Sequence, residues 1–309
     1  MEKFVIIADA TCDLNEEFQK KYDINVIQGH IVVPGLGEIS TSQNWERFTR
    51  EDFFKALKSS PESYSTSPPN IAEYAAEFEK YVSQGIGVIA MTISAAISGS
   101  FGFAQSARES VLEKYPEAKI ICIDSRRFGP GFGLMVVHAA MLRNEGKSIQ
   151  ETADIIEERK NTFHQAGWLD DLSFVAKKGR MTHGKAFLGT LVGIKPIGEF
   201  DYNGLTTVIG KIKGAKAAYS ALLDYIEKTS VDIQDQIVFI AHTDRYDQAE
   251  KFRAMIEERF HPKEIYVSDV FAMNGINVGP GLMAAYYTGK PISKDLSEEK
   301  KILEEASGS

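Results

Sequence analysis

Residues 4–14, FVIIADATCDL, decide how the first half of this chain is expected to fold. The apolar run 4–8 is closed by Asp9, which is typical of a strand that is buried on both faces and ends in a polar loop. Two further β-rich segments, 86–92 and 119–123, are each followed by a polar loop and then by a helical pattern. Strands that alternate with helices predict a parallel sheet with helices on its faces.

Capping residues mark where two of these helices begin. Asn70 with Glu73, and Ser148 with Glu151, have the spacing at which a side-chain oxygen and a carboxylate satisfy each other's free backbone amides. The second helix should end near residue 160, where the sequence changes character. We therefore expect an N-terminal α/β domain at 1–160, a C-terminal α/β domain at 161–293 and a mobile polar tail at 294–309.

The C-terminal half predicts a mixed sheet. Segments 194–200 and 205–212 are separated by Asp-Tyr-Asn-Gly, and the pair Asn203-Gly204 favours the positive φ angles of a hairpin turn. Four further elements are predicted downstream: a helix at 215–228, a buried run at 236–241, a helix at 245–260 and a strand near 264–268. The fold class is therefore α/β, with a parallel sheet first and a mixed sheet second.

Composition excludes several classes of protein. The 309 residues are 43% hydrophobic and 25% charged, as in soluble globular proteins, and the net charge of −8 disfavours broad binding to nucleic acid or anionic membranes. Cys12 and Cys122 lack disulfide or zinc spacing, which indicates a reducing compartment, buried thiols and no metal. No stretch has the length of a signal or membrane-spanning segment. We expect a cytoplasmic protein without a cofactor of its own.

Residues 177–189, KKGRMTHGKAFLG, resemble a phosphate-binding loop. Gly179 and Gly184 have the required spacing, but Ala186 stands where the loop needs a hydroxyl for magnesium. We favour a different interpretation, in which Gly179 ends a short helix and Arg180 lies on a turn before an apolar helix at 186–192. An arginine in that position is suited to hold a carboxylate or a phosphate.

Three other loops are rich in hydroxyl groups or glycine: 64–69 (YSTSPP), 94–100 (SAAISGS) and 278–281 (VGPG). Loops at the carboxyl ends of parallel strands are where α/β sheets bind ligands, although each motif alone is usually a turn or a cap. The acids that close or follow apolar runs are interpreted as helix caps rather than metal ligands: Asp9, Asp124, Asp244 and Asp269. His183 and His242 lack a serine or cysteine partner for catalysis.

In their order along the chain, these motifs resemble those of the DegV family of bacterial proteins. The matching segments are 9–14, 66–69, 97–100, 124–126, 178–180, 187–189, 194–197 and 279–281, which together span nearly the whole chain. The resemblance implies two α/β domains with a ligand between them. It also implies a non-catalytic carrier that buries a long-chain fatty acid in an apolar tunnel and presents its carboxylate to a separate fatty acid kinase subunit.

The family's head-group contacts fall on Thr66, Ala95, Arg180 and Asn277. The neighbouring hydroxyls complete the expected ligand-binding set: Ser67, Ser94 and Ser98. Ala95 stands where the family commonly has a second serine and Asn277 where it has histidine, so one hydrogen bond is lost and one group cannot carry charge.

A basic cluster is the expected kinase-facing surface. The family often has arginine at Lys213, and Lys211 and Lys216 lie nearby, although such a run is more often a solvated face.

Burial of an acyl chain contributes on the order of 10 kcal/mol, and each lost bond to a charged head group costs roughly 1.5 to 3 kcal/mol. Lipid binding should therefore survive the changes at Ala95 and Asn277, with head-group preference altered.

Two alternatives stay open from the sequence. One is a small-molecule or nucleotide-dependent enzyme on the related sheet architecture of the dihydroxyacetone kinases, which ATP binding would distinguish. The other is a regulatory module that senses lipid. The sequence also leaves open which phenylalanines line a tunnel and which fill the core: Phe101, Phe103, Phe187, Phe200 and Phe271.

Overall fold

The computed structural model describes residues 3–181 and 193–307. The strands are β1 (Phe4–Asp9), β2 (Ile24–Ile27), β3 (His30–Val33), β4 (Gly37–Ser40), β5 (Ser65–Ser67), β6 (Gly87–Thr92), β7 (Ile120–Asp124), β8 (Phe163–Leu169), β9 (Ile194–Phe200), β10 (Thr206–Lys213), β11 (Ile237–His242), β12 (Glu264–Asp269) and β13 (Leu282–Thr288). The helices are α1 (Glu16–Tyr22), α2 (Arg50–Ser59), α3 (Ile71–Val82), α4 (Ser100–Lys114), α5 (Gly129–Asn144), α6 (Ile149–Arg159), α7 (Ser173–Lys177), α8 (Ala215–Thr229), α9 (Tyr246–Phe260), α10 (Ala272–Val278) and α11 (Ser297–Ser307).

The first compact unit contains the predicted parallel sheet. Its strand order is β2-β1-β6-β7, and all three pairings are parallel. Both predicted capping pairs are confirmed as capping boxes, Asn70 with Glu73 at α3 and Ser148 with Glu151 at α6. Because the strands are parallel, the carboxyl ends of β1, β6 and β7 lie at one edge of the sheet.

A small antiparallel sheet, β4-β3-β5, accompanies the parallel one. The segment predicted as a hydroxyl-rich loop at 64–69 is in part a strand, because Ser65–Ser67 pairs with β3 and places Thr66 opposite Ile31. Three residues are too short for an alternating pattern to be visible in the sequence. The interpretation of this stretch as a loop is corrected accordingly.

Helices α3 and α4 pack against the parallel sheet through a shared apolar cluster. The aromatic side chains of Tyr74 and Phe78 come from α3, and the small Ala104 and Ala107 come from α4. Alanines on one helix leave room for aromatic rings on the other, so the two helices approach closely.

The second unit contains the predicted mixed sheet, with strand order β10-β9-β8-β13-β11-β12. Strands β11 and β12 are parallel, whereas the neighbouring pairs from β10 to β11 are antiparallel. The predicted hairpin is confirmed as β9–β10. Its turn differs from the expectation, because Gly204 has a positive φ of 91° while Asn203 does not. Asp201 Oδ1 closes the turn instead, accepting from the amides of Asn203 and Leu205 at 2.9 and 3.0 Å.

The two units do not follow the expected sequence boundaries throughout. Residues 46–61, with α2, group with the second unit, and residues 271–273 group with the first.

The segment expected to be a mobile tail forms α11, which packs on α8 and β10. Leu303 of α11 is buried over Gly210, where a Cβ atom would lie 2.6 Å from the leucine. The polar composition of this segment hid the apolar contact from the sequence analysis. The predicted helix at 186–192 lies outside the described residues.

Candidate functional site

At the edge of the first sheet, Asp9 is a fully buried carboxylate that binds two loops. Its Oδ1 accepts from the amide of Thr11 at 3.0 Å and from the Thr11 hydroxyl, and its Oδ2 accepts from the amide of Ile93 at 2.9 Å. Burial raises the pKa of Asp9 above its usual range, and the hydrogen bonds from Thr11, Ile93 and Ser100 oppose that rise. Asp9 therefore ties the end of β1 to the loop after β6.

Asp124, at the end of β7, caps the neighbouring loops in the same way. Its Oδ1 accepts from the amides of Ala95 and Arg126, both at 3.0 Å. This geometry agrees with the interpretation of Asp9 and Asp124 as capping residues. Within residues 3–181 and 193–307, no group of three or more His, Cys, Asp or Glu side chains is arranged to hold a metal ion.

The serines of the 94–100 loop differ in their exposure. Ser94, one of the expected ligand residues, is buried. Its hydroxyl accepts a hydrogen bond from the amide of Ala96 at 3.3 Å, so it stabilises the loop itself. Ala95 is exposed and Ser98 is half-buried. The Ser98 hydroxyl lies 3.1 Å from the Ser100 hydroxyl and accepts from the Ser100 amide at 3.2 Å. Ser98 is therefore the serine of this loop that both reaches the surface and is held in place.

The other expected contacts of the first unit lie on β5. Thr66 is half-buried and Ser67 is exposed. The backbone of β5 is fixed by pairing with β3, so the Thr66 hydroxyl is carried by a strand rather than by a flexible loop. The backbone at Gly29 lies close to that of β5: a Cβ atom on residue 29 would lie 2.8 Å from the Ser67 carbonyl oxygen, so glycine is needed there.

Neither cysteine has the environment of a reactive thiol. Cys12 is buried beside Asp9 and Asp13, and burial raises the pKa of its thiol far above the usual range. Burial also raises the pKa of Cys122 to about 12, although this residue is partly exposed rather than buried as the sequence predicted. Thiols of such high pKa are poor nucleophiles.

In the second unit, Asp170 lies just after β8 and joins three segments. Its carboxylate binds Lys195 of β9 at 2.5 Å and Arg245, before α9, at 3.1 Å. Burial would raise the pKa of Asp170, but these two cations hold it below its usual value. The Asp170 amide donates to the Gly281 carbonyl at 3.1 Å, so the same residue anchors the Gly-Pro-Gly turn. The sequence analysis did not predict β8 and missed Asp170, although an apolar run closed by Asp-Asp was the available signal.

Arg180 and Asn277, the expected head-group residues of the second unit, are both half-buried. Gly179 has a positive φ of 71° just after α7, as the sequence predicted for the end of a short helix. The guanidinium of Arg180 donates to the Lys178 carbonyl. Asn277 lies in the last turn of α10, and Val278 separates it from the Gly-Pro-Gly turn. The Gly184-Ala186 part of the phosphate-loop motif and the motif at 187–189 lie outside the described residues.

His242 is buried at the end of β11, near an ion pair that the sequence analysis missed. Its Nε2 lies 3.6 Å from Asp269 Oδ1, and Arg50 of α2 binds the same oxygen at 2.8 Å. Burial lowers the pKa of His242 to about 4, because the attraction of Asp269 does not outweigh desolvation and the repulsion from Arg50. The imidazole is therefore neutral near pH 7 and supplies no positive charge to an anionic ligand.

A cavity of about 340 Å³ lies within the second unit. Its walls are Glu51, Phe54, Lys55, Lys58, Asp170, Asp171, Phe174, Asp244, Arg245 and Pro280. Side chains of both charge signs share this lining with two aromatic rings. On another surface of the same unit, the basic residues Lys211, Lys213 and Lys216 are all exposed.

The fold and these groups define an α/β protein that carries half-exposed hydroxyl, amide and guanidinium groups on β5, on the loop after β6, after α7 and in the last turn of α10. The chain belongs to the DegV family: the family model, described as one of uncharacterised proteins, matches residues 3–290. The resemblance drawn from the motifs is thereby confirmed. No helix within residues 3–181 and 193–307 combines the length and apolar character needed to cross a membrane.

Relatives with known names and structures agree with this membership. A DegV domain-containing protein of Clostridium perfringens is 33% identical over 296 residues, covering 94% of this chain and 98% of that protein. A Thermus thermophilus DegV family protein, described by its fatty acid binding, matches with a TM-score of 0.82 at 21% identity, covering 93% of this chain and 100% of that one. The fatty acid kinase B3 protein of Streptococcus pneumoniae, solved with linoleic acid, gives 0.78 at 20% identity, covering 93% and 100%. At these identities the structures show a shared fold.

Proposed function

We propose that this protein is a non-catalytic, cytoplasmic carrier that binds a long-chain fatty acid and presents the carboxylate to a separate acyl kinase. The observation that carries the proposal is membership of the DegV family over residues 3–290, combined with a fold shared with proteins described as fatty-acid-binding. The kinase supplies nucleotide and metal in this scheme, so the carrier itself needs neither.

The residues proposed to contact the head group are mostly half-buried and polar. Thr66 and Ser98 offer hydroxyl donors, with Ser67 beside them, and Arg180 offers the positive charge. A guanidinium binds a carboxylate through charge-assisted hydrogen bonds, which are stronger than those between neutral groups. Asn277 donates through its amide where the family has histidine, and Ala95 offers no side-chain hydrogen bond.

Acyl burial dominates the proposed affinity. Transfer of a sixteen-carbon chain from water contributes on the order of 10 kcal/mol, from about 0.8 kcal/mol per methylene, before ordering of the ligand takes back several kcal/mol. One head-group hydrogen bond contributes about 1.5–3 kcal/mol when a charge is involved. Loss of a single head-group residue should therefore weaken binding without abolishing it.

The first test is native mass spectrometry of the purified protein before and after lipid extraction. We expect a non-covalent adduct in the mass range of long-chain fatty acids, which extraction removes and added palmitic acid restores. Arg180→Ala should weaken palmitate binding by about 10- to 100-fold, which corresponds to the loss of one charge-assisted bond. Lys177→Ala removes an exposed cation from the same helix end and serves as the matched control, with unchanged affinity.

A protein without an adduct, which also takes up no palmitic acid, would contradict the proposal. Saturable ATP binding by this chain alone would favour the kinase-like alternative instead. Equal affinity of Arg180→Ala and wild type for palmitate, with binding intact in both, would leave the carrier function standing and remove Arg180 from the head-group site.

The proposed kinase-facing surface is centred on Lys213, at the end of β10. This lysine is exposed, and Lys211 and Lys216 place two more cations beside it. We expect Lys213→Glu to weaken binding to the cognate acyl kinase by about tenfold or more, measured by surface plasmon resonance, because reversal of a docking charge adds repulsion. Lys263→Glu changes an exposed lysine before β12, at the opposite edge of the sheet, and should have no effect.

A further inference from the structure

One apolar cluster joins the segments that carry Arg180 and Asn277, the expected head-group residues of the second unit. Met181, which follows Arg180 in the chain, is a buried member of this cluster. Val278, which follows Asn277, is half-buried and packs against the same cluster. Arg180 and Asn277 are far apart in sequence, but their chain neighbours therefore pack in one place.

Phe174 of α7 makes a second contact between these segments. A Cβ atom on Gly279 would collide with the Phe174 ring, so this buried ring packs directly against the glycine backbone. The Gly279 amide donates to the Gly275 carbonyl at 2.8 Å, which ties the glycine to α10, the helix that carries Asn277. The Phe174 ring therefore limits how closely the Asn277 segment approaches α7.

The backbone between Phe174 and Arg180 is fixed as well. The Arg180 amide donates to the Val175 carbonyl at 3.2 Å, which holds Arg180 against the end of α7. On the other side of Arg180, Met181 forms a parallel bridge with Thr206, the first residue of β10. Arg180 is therefore held between α7 and the sheet of the second unit.

The Gly-Pro-Gly turn is anchored on its far side. The Gly281 carbonyl accepts from the Asp170 amide at 3.1 Å, and the Gly281 amide donates to the Thr243 carbonyl at 2.9 Å. The turn cannot move away from Phe174 without breaking these hydrogen bonds. The ring is therefore a fixed spacer between α7, which leads to Arg180, and the turn that follows α10.

We propose that Phe174 is a positioning residue that sets the spacing between Arg180 and Asn277, and that this spacing makes the head-group site select a carboxylate over a neutral lipid. The proposal rests on the proposed function and deepens it by naming the class of head group that the site prefers. Phe174 acts only through the other two residues, because its side chain has no hydrogen-bond donor.

The physical reason is that a charged head group depends more on alignment than a neutral one. Hydrogen bonds to a carboxylate are about twice as strong as those between neutral groups, and they are strongest when the donors converge on the same anion. A shift of about 0.5 Å in one donor is enough to weaken such a site. A neutral head group gains less from the same donors and therefore loses less when they move apart.

The test compares the dissociation constants of dodecanoate and 1-dodecanol, which have chains of equal length, by calorimetric titration at pH 8. Wild type should prefer dodecanoate, and Phe174→Leu should reduce this preference about 3- to 10-fold through weaker binding of dodecanoate alone. Phe174→Tyr keeps the ring and should keep the preference. Phe252→Leu removes another buried ring of the second unit, on α9, and should lower stability while leaving the preference unchanged.

A double variant distinguishes positioning from a general structural effect. Once Arg180→Ala has removed one donor, Asn277 has no partner to be aligned with, so adding Phe174→Leu should change the preference by less than about twofold. Val278→Ala loosens the cluster from the Asn277 side and should reduce the preference as Phe174→Leu does, which keeps the test open if Phe174→Leu does not fold.

Three results would overturn the positioning role while leaving fatty acid binding intact. They are an unchanged preference in Phe174→Leu and Val278→Ala, an equal loss of preference in Phe252→Leu, and the same loss from Phe174→Leu with and without Arg180. Failure of wild type to bind dodecanoate or palmitate would instead contradict the proposed function itself.

Discussion

Replacing Glu199 by alanine is expected to lower the free energy of unfolding by about 3–5 kcal/mol. Glu199 has no exposed surface, and each of its oxygens accepts two hydrogen bonds. Oε2 accepts from His164 Nδ1 at 2.8 Å and from the Tyr225 hydroxyl at 2.9 Å, and Oε1 accepts from the amides of Gln165 and Phe200 at 2.7 and 2.8 Å. Removal of the carboxylate leaves four buried donors without their acceptor.

His164 is held on both sides of its ring. Its Nε2 donates to the Lys290 carbonyl at 2.7 Å, since a carbonyl only accepts. Its Nδ1 lies 2.8 Å from Glu199 Oε2, so loss of the carboxylate removes one of the two contacts that orient the buried ring. Burial and the neighbouring Glu199 charge raise the pKa of Tyr225 well above its usual range, so the phenol stays a donor.

Urea unfolding of three variants measures the effect. Tyr225→Phe removes one of the four donors and should cost about 1 kcal/mol. Glu258→Ala removes an exposed glutamate of α9 and should change stability by less than about 0.5 kcal/mol. If Glu199→Ala costs no more than Tyr225→Phe, the carboxylate does not hold the network together and this account of the second unit is wrong.

Gly279→Ala is expected to destabilise the protein by about 2–5 kcal/mol, for two independent reasons. The residue has a positive φ of 75°, which a Cβ atom disfavours. A Cβ atom there would also lie 2.4 Å from the ring of Phe174, which is itself buried. The Gly-Pro-Gly turn that follows Asn277 is therefore shaped by one aromatic ring as well as by its own backbone.

A second glycine separates these two contributions. Gly85 follows α3 with a φ of 71°, and no described atom lies within 4 Å of the position its Cβ would take, apart from its own chain neighbours. Gly85→Ala should therefore show the backbone cost alone, about 1–2 kcal/mol. Thermal unfolding should place Gly279→Ala clearly below Gly85→Ala. Equal melting temperatures for the two variants would mean that the Phe174 ring moves aside at no cost.

The candidate site was partly predictable from the sequence, because several of its features are local. The ends of buried strands at Asp9 and Asp124, and the turn at Gly179, depend on residues only a few positions apart. The expected ligand residues Ser94 and Ser98 could not be ranked in this way. Their difference in exposure follows from how the loop folds back on itself, with Ser94 bonded to the Ala96 amide and Ser98 to that of Ser100.

The sequence by itself determined the alternation of strands and helices, the capping boxes of α3 and α6, and the hairpin β9–β10. Each depends on hydrogen bonds or periodic burial within about ten residues, so the local pattern is sufficient. Family membership also followed from the order of short motifs.

Only the tertiary structure decided that α2 belongs with the second unit, that α11 is packed, and that Glu199 and Asp170 are buried or half-buried with partners. Glu199 meets His164 and Tyr225 at separations of 35 and 26 residues, and Asp170 meets Arg245 at a separation of 75. A charged residue is stable in a buried position only when its partner is there, and a local pattern carries no record of a partner so far away.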